Sequence, residues 1–224
     1  MFMPDKVFVV ISAYNEEAHI KDVVEGIKNY IDNNVDKIVV VDDGSKDKTK
    51  EIAEKGKVFV LSHLVNLGKG AALKTGCDYA LEQGAEKIIV LDADGQHEPK
   101  EIPLFLKALD KVDIVYSFRK RSSQMPLVLR FGNNFINSAI QSLFNIKISD
   151  SQCGYRAFSA EAYKKIRWNA TDYFMETEMI IRASRNKLRY TQIPIETIYS
   201  DNYKGTTVFD GVKIFFKIVW GKFL

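Results

Sequence analysis

The stretch IIVLDADGQHEP, residues 88–99, joins four apolar residues to polar side chains at alternate positions. The apolar run is typical of a buried β-strand, and it ends in Asp92, Asp94 and Gln96. Two carboxylates at the end of a buried strand are costly unless a cation lies beside them. This stretch therefore predicts a strand of a covered sheet with a cation site at its carboxyl end.

The surrounding sequence repeats the pattern of short apolar strands. Runs rich in β-branched residues occupy 6–12, 37–43, 57–62, 87–94 and 113–118. Between the first two runs, apolar residues recur at helical spacing over 16–31. Ser45 and Pro99 stand where further helices are expected to begin. Strands that are apolar on both faces and alternate with helices predict an α/β fold, with helices on both faces of a mostly parallel sheet.

The bulk composition sets limits on the class of protein. A chain of 224 residues, 46% of them hydrophobic, is sufficient for one ordinary core. A net charge of +3 does not predict a nucleic-acid partner. Two cysteines, Cys77 and Cys153, favour a reducing compartment over a disulfide framework. We expect no secretion leader, because the chain enters a strand-like run at once, and no membrane span, because no run of 18 uncharged apolar residues occurs.

The polar residues that follow the strands are expected to meet, because ligands of parallel sheets bind beyond the carboxyl ends of the strands. Mg²⁺ and Mn²⁺ prefer oxygen ligands, usually one or two carboxylates with phosphate oxygens. Asp92, Asp94 and Gln96 therefore predict a site for Mg²⁺ or Mn²⁺. Two alternatives remain open. The aspartates are solvated loop residues, or Asp92 is the nucleophile of a phosphatase, since DADG also resembles the haloacid-dehalogenase motif.

A glycine-rich segment, NLGKG at 66–70, follows the third predicted strand. Its spacing does not match the P-loop pattern. Lys69 is a candidate partner for a phosphate, and Gly68 and Gly70 permit a close approach of the backbone. An ordinary turn into a helix explains the same residues equally well.

Five motifs, in order, resemble family 2 glycosyltransferases with the GT-A fold, a Rossmann-like sheet. They are VVISAYNEEAHI, KIVVVDDGSKDKT, VNLGKGAALKTG, IIVLDADGQHEP and DSQCGYRAF, and the resemblance covers residues 6 to about 200. The resemblance is to the branch that makes polyprenyl-phosphate sugars, the dolichyl-phosphate mannose and glucose synthases. It implies a GT-A domain over 1–205 and inverting transfer of a hexose from a nucleotide sugar to a polyprenyl or dolichyl phosphate.

The resemblance also implies roles for individual residues. Those expected to bind the nucleotide sugar are Ser12, Tyr14, Glu16, Asp43, Lys69, Asp92 and Ala93. The metal and diphosphate site matches Asp92, Asp94 and Gln96. Arg119 and Arg130 match arginines that meet phosphate groups, and Asp150, Gly154 and Arg156 match a loop near the acceptor. The family usually has proline where Ser12 stands, which bears on the base pocket. The D-x-Q-C-G form of the acceptor loop favours a UDP-glucose-type donor first and GDP-mannose second.

The type of acceptor decides whether a base is needed. A phosphate monoester has a second pKa of about 6 and attacks without losing a proton, whereas a sugar hydroxyl needs a general base such as Asp150, Glu176 or Glu178. The arginine-rich stretch 119–130 favours phosphate. The residues expected at the reaction centre are Asp92, Asp94, Arg119, Arg130, Asp150 and Glu178. Transfer to a saccharide hydroxyl and a catalytically inert nucleotide-sugar-binding protein remain as rival interpretations.

The last residues, 206–224, carry lysines among Phe, Ile and Trp, a composition typical of an amphipathic helix at a membrane interface. A second stretch, 131–144, has an apolar stripe that fits either the interface or the core. We therefore expect a peripheral protein on the cytoplasmic face of the membrane. A homo-oligomer contact is the alternative partner for the C-terminal segment.

Overall fold

The computed structural model describes residues 6–30, 37–119, 127–196 and 217–218, with side chains for all of these except 30 and 127–131. Seven strands are present in this part of the chain: β1 (Val7–Ala13), β2 (Lys37–Asp42), β3 (Phe59–Ser62), β4 (Lys87–Asp92), β5 (Ile114–Arg119), β6 (Arg156–Ser159) and β7 (Tyr190–Ile195). The described helices are α1 (Ile20–Tyr30), α2 (Thr49–Lys55), α3 (Lys69–Glu82), α4 (Ile102–Leu109), α5 (Leu127–Phe144), α6 (Ala160–Ile166) and α7 (Phe174–Arg185).

The strands form one sheet in the order β3-β2-β1-β4-β6-β5-β7. Every pairing is parallel except those of β6, which runs antiparallel to β4 and β5. This confirms the predicted α/β fold with a mostly parallel sheet. The motif DSQCGYRAF, matched to an acceptor loop, is not a loop throughout, because Arg156–Ser159 forms a central strand. Four residues are too few to show a sequence period, and the pairing with β4 and β5 determines their conformation.

Both faces of the sheet are covered, as the two-sided apolar strands indicate. Alternate residues of β1 enter two separate cores, with Phe8 and Val10 on one face and Val9 and Ile11 on the other. Helices α3, α5, α6 and α7 supply the first core, and α1, α2 and α4 supply the second. Because all strands except β6 run in the same direction, their carboxyl ends lie at one edge of the sheet, where the polar residues follow.

The two stretches with apolar faces differ in how much of each is described. In α5, Ile136 and Ile140 are buried in the core, which favours core packing for the described part of 131–144. Of the C-terminal segment, Ile218 is buried in the same core and Lys217 pairs with Asp172 at 2.7 Å. The remainder of 206–224, and the interface helix predicted for it, lie outside the described residues. Within the described part of the chain, no helix is long and apolar enough to cross a bilayer.

Candidate functional site

One pocket lies at the carboxyl ends of β1, β2 and β4. Its lining includes eight of the residues expected at the site: Ser12, Tyr14, Glu16, Asp43, Lys69, Asp92, Ala93 and Asp94. Asp172 and Tyr173, from the turn before α7, complete a wall that the sequence did not predict. The topology thus brings together residues from four separate motifs at one edge of the sheet.

Asp43 is held rigidly at the end of β2. Its Oδ1 accepts from the backbone N–H of Leu67 at 3.0 Å, and its Oδ2 accepts from Gly68 at 2.8 Å. The Nδ1 of His63 lies 2.6 Å from Oδ1, and the Nε2 of His63 lies 3.0 Å from the hydroxyl of Thr75. Asp43 therefore fixes the turn over 63–68 against the pocket, and His63 is a residue of this region that sequence reasoning missed.

The glycine-rich turn approaches another backbone segment of the protein. The carbonyl oxygen of Thr171 accepts from Gly70 N–H at 2.8 Å and from Ala71 N–H at 3.3 Å, so it caps the start of α3. Trp168 donates its Nε1–H to the carbonyl of Gly70 at 2.8 Å. The backbone that approaches Gly70 closely is the 168–173 turn of the protein itself, and the N–H groups of Gly70 and Ala71 are already bonded to it.

Replacing Gly70 by alanine is expected to destabilise the fold. An added Cβ would lie 2.4 Å from the carbonyl oxygen of Ala170, which is backbone and cannot turn away. We expect a loss of about 1–3 kcal/mol in the free energy of unfolding, measured by chemical denaturation. Gly132→Ala is the matched control, because nothing lies within 4 Å of its added Cβ on the exposed face of α5. That variant should gain about 1 kcal/mol, and equal losses in both would contradict the packing described.

Three charged side chains form the centre of the site. The Lys69 ammonium lies 2.7 Å from Asp92 Oδ1 and 2.9 Å from Glu176 Oε1. Burial alone lowers the pKa of Lys69, but the charges of Asp92 and Glu176 outweigh burial and raise it. Burial raises the pKa of Asp92, and Lys69 outweighs that effect, so this carboxyl stays ionised. The cluster keeps one permanent cation between two carboxylates.

Asp94 lies in a different electrostatic environment. Its pKa is raised, first by burial and then by the neighbouring charge of Asp92. Its Oδ1 accepts from the backbone N–H of Gln96 at 3.0 Å, and this bond closes a turn after the end of β4. The side chain of Gln96 is buried, and Gln96 is not among the pocket-lining residues.

The donor set fits a hard divalent cation. Within the described residues, no group of three or more His, Cys, Asp or Glu side chains is arranged to hold a metal ion by itself. Asp92 and Asp94 line the pocket together, and burial together with the charge of Asp92 raises the pKa of Asp94, so a cation beside the pair would be favourable. Two carboxylates completed by phosphate oxygens are a usual environment for Mg²⁺. Asp92 and Asp94 would hold the ion, which would neutralise charge on a bound diphosphate.

The predicted acceptor residues Arg119 and Asp150 bind each other. Arg119 donates from Nε to Asp150 Oδ2 at 2.7 Å and from Nη2 to Oδ1 at 3.1 Å, and Asn133 donates to Oδ1 at 2.9 Å. Burial raises the pKa of Asp150, but the Arg119 charge outweighs burial and lowers it. A carboxylate with a lowered pKa is a poor proton acceptor at neutral pH. Asp150 therefore orients Arg119 at the carboxyl end of β5.

Arg156 is buried to 1% exposure and organises the acceptor loop. Its guanidinium donates to the carbonyl oxygens of Cys153 at 2.9 Å, Ser151 at 2.7 Å and Glu176 at 2.6 Å. This arginine matched the acceptor loop by resemblance, and the structure places it beneath that loop. It joins the loop to the first turn of α7.

The remaining expected residues lie apart from the pocket lining. Glu178 accepts from the backbone N–H groups of Asn169 and Ala170 and pairs with Arg182 at 2.7 Å. Glu176, considered with Glu178 as a base, is the glutamate that joins the Lys69 cluster. Gly154 packs against that cluster, because an added Cβ would lie 2.8 Å from Asp92 Oδ2. Arg130 belongs to α5, and its side chain lies outside the described residues.

Comparison with known proteins agrees with this architecture. The family model for glycosyl transferase family 2 matches residues 8–167. The UDP-N-acetylglucosamine–dolichyl-phosphate N-acetylglucosaminyltransferase of Methanococcus voltae is 36% identical, over 97% of this chain and 96% of its own. The dolichyl-phosphate beta-glucosyltransferase ALG5A of Trichomonas vaginalis is 30% identical, over 88% of this chain and 67% of its own.

Solved structures share the fold. Glucosyl-3-phosphoglycerate synthase from Mycobacterium tuberculosis, in complex with UDP, aligns with a TM-score of 0.80 at 20% identity, over 98% of this chain and 81% of that chain. Another structure of that synthase, with Mg²⁺ and UDP, gives 0.78 at 19% identity, over 97% and 79%. These likenesses confirm the expected GT-A fold. With the family match and the two relatives, they show that this chain belongs to glycosyl transferase family 2 and is a glycosyltransferase.

Proposed function

We propose that this enzyme transfers a hexose from a UDP-sugar to a polyprenyl phosphate, with Mg²⁺ or Mn²⁺, at a membrane surface. The observation that carries the proposal is the Arg119–Asp150 pair: the two side chains lie 2.7 Å apart, so the arginine engages this carboxylate, and we assign Arg119 to the phosphate of the acceptor. Two relatives whose names state transfer to dolichyl phosphate support the same acceptor.

The leaving group of this reaction is a nucleoside diphosphate, on which negative charge increases as the sugar departs. Lys69, a permanent cation beside Asp92, is placed to stabilise that charge. A divalent ion held by Asp92 and Asp94 would add to this stabilisation. Asp43, Glu16 and Tyr14 line the part of the pocket next to β1 and β2, where we place the nucleoside.

The acceptor assignment follows from the state of the carboxylates. A sugar hydroxyl loses a proton on attack and needs a general base, whereas a phosphate monoester is largely dianionic at neutral pH. Asp150 is bonded to Arg119 and Asn133, Glu178 to backbone N–H groups, and Glu176 to Lys69 through one of its two carboxylate oxygens. A phosphate acceptor would bind to the Arg119 guanidinium and needs no general base.

The donor assignment is a UDP-hexose, with UDP-glucose and UDP-N-acetylglucosamine as the two to test first. The names of the Methanococcus and Trichomonas relatives support these sugars. GDP-mannose is the second choice. Because a polyprenyl phosphate resides in a bilayer, we place the enzyme at the membrane surface, peripheral to its cytoplasmic face.

The acceptor proposal predicts a sharp preference between dolichyl phosphate and dolichol. With the same UDP-hexose and detergent, we expect sugar transfer to the phosphate and none to the alcohol, because Asp150 and Glu178, two of the carboxylates considered as a base, are already bonded to other groups. Thin-layer chromatography of labelled lipid measures both. Transfer to dolichol, or to an added oligosaccharide, at a rate similar to that with dolichyl phosphate would contradict the phosphate acceptor and favour the rival reaction at a hydroxyl.

A further inference from the structure

Glu176 has a buried carboxylate oxygen with no donor. Its side chain is 3% exposed, and its Oε1 lies 2.9 Å from the Lys69 ammonium. Its Oε2 has no hydrogen-bond partner among the described residues. Because an unpaired buried carboxylate oxygen is costly, such an atom calls for an explanation, and a ligand group is one.

The position of Glu176 indicates which ligand group is within reach. Lys69 bonds to Asp92 and Glu176 at once, so a single ammonium separates Glu176 from the proposed diphosphate site. Tyr173, on the turn just before Glu176, lines the pocket, and the Lys69 ammonium lies 5.9 Å from the centre of its ring. Gly154 packs directly against Lys69 and Asp92, because an added Cβ would lie 2.7 Å from the ammonium and 2.8 Å from Asp92 Oδ2.

The chemistry of a carboxylate restricts the group further. The Glu176 carboxylate repels a phosphate, and it is already paired with a cation, the Lys69 ammonium. A neutral hydroxyl donor is the complement that remains. In a nucleotide sugar the hexose is bonded to the phosphate next to this cluster, so its ring hydroxyls come closest to Glu176.

We propose that Glu176 accepts a hydrogen bond from a ring hydroxyl of the transferred hexose and so contributes to the choice of sugar. The proposal rests on the proposed function, in that the donor is a nucleotide sugar. Arg156 fixes the backbone of Glu176 through its 2.6 Å bond to the carbonyl, so the carboxylate is presented from a rigid helix start. Lys69, which has a flexible chain, turns towards the diphosphate as the sugar enters.

The test measures donor binding without any acceptor. Calorimetry gives the Kd of UDP, UDP-glucose, UDP-N-acetylglucosamine and the 3-, 4- and 6-deoxy analogues of UDP-glucose, in the presence of Mn²⁺. The variants are Glu176→Ala and Glu176→Gln, the second of which keeps the side-chain volume should the first not fold. Glu101→Gln is the matched control, because Glu101 is also a buried glutamate but lies just before α4 and is not paired with Lys69.

We expect the wild type to bind one deoxy analogue roughly 10- to 100-fold more weakly than UDP-glucose, the range for a hydrogen bond to a charged group. In both Glu176 variants that difference should shrink or vanish, and the affinity for UDP, which carries no hexose, gives the part of any change that acts through Lys69. The Glu101→Gln protein should discriminate as the wild type does.

Two results would overturn the proposal. An equal loss of affinity for UDP and every UDP-hexose would show that Glu176 acts only through Lys69. Unchanged discrimination in both variants would show that it contacts no sugar hydroxyl. Failure of the proposed function gives a different result. If the wild type binds none of the UDP ligands, the donor assignment is wrong, and this proposal is wrong with it. If the wild type binds them but transfers no sugar to lipid, only the acceptor assignment is wrong.

Discussion

Asp94→Ala is expected to reduce sugar transfer by a factor of about 1,000 or more, because it removes one of two carboxylates proposed to hold the divalent ion. The same change should not harm the metal-free fold. The pKa of Asp94 is raised in the folded state by burial and by Asp92. An acid with a raised folded pKa favours folding at low pH, and this contribution is lost as pH rises through the folded pKa. At pH 7 the ionised Asp94 therefore opposes folding, and alanine removes that effect.

Thermal unfolding with and without Mn²⁺ and UDP measures this directly. The wild type should gain thermal stability from the two ligands together, whereas Asp94→Ala should start at an equal or higher midpoint and gain little. Asp110→Ala is the control, since Asp110 is an exposed aspartate paired with Lys87 away from the pocket. Retained transfer in Asp94→Ala, or an unchanged response to Mn²⁺, would refute the metal assignment.

Arg156→Ala is expected to have the largest effect on stability. The substitution leaves the carbonyl oxygens of Ser151, Cys153 and Glu176 without the donor that they share, and it empties a fully buried volume. We expect a loss of about 4 kcal/mol in the free energy of unfolding. For a domain of this size that corresponds to a fall of roughly 10 °C in Tm. Transfer should fall as well, because the acceptor loop and the start of α7 lose their common link.

Two further variants define the cause of the Arg156 effect. Arg156→Lys should fail to rescue, since one ammonium cannot reproduce the planar fork that reaches three carbonyls. Arg189→Ala removes an exposed arginine paired with Asp113 and should leave the stability almost unchanged, because surface ion pairs contribute little. A lysine variant with wild-type Tm and activity would contradict the role assigned to the guanidinium.

The sequence predicted the parts of the site that depend on local pattern. Apolar runs located β1, β2 and β4, and the polar residues after them are the ones that line the pocket, because parallel strands align their carboxyl ends. It favoured Glu178 at the reaction centre, whereas the glutamate that contacts Lys69 is Glu176. Residues two apart on a helix point in nearly opposite directions, and only the packing of α7 decides which one faces Lys69.

Other features depend on contacts between distant segments. The partner of the glycine-rich turn is Thr171, about a hundred residues away, so no spacing rule reveals that its N–H groups are already used. Arg156 matched the acceptor loop, but its inward direction follows from its place on β6, a strand too short to show a period. In each case the residue type indicated a structural role, but only the fold shows which residue is its partner.

Transfer to a lipid phosphate can be tested in a single assay. Release of nucleoside diphosphate is measured from UDP-glucose, UDP-N-acetylglucosamine and GDP-mannose, with Mg²⁺ or Mn²⁺ or neither, with and without a polyprenyl phosphate in detergent. We expect release from a UDP-hexose only when both the metal and the lipid are present, with the sugar recovered on the lipid. Release at the same rate without lipid, or sugar found only in water-soluble product, would contradict it.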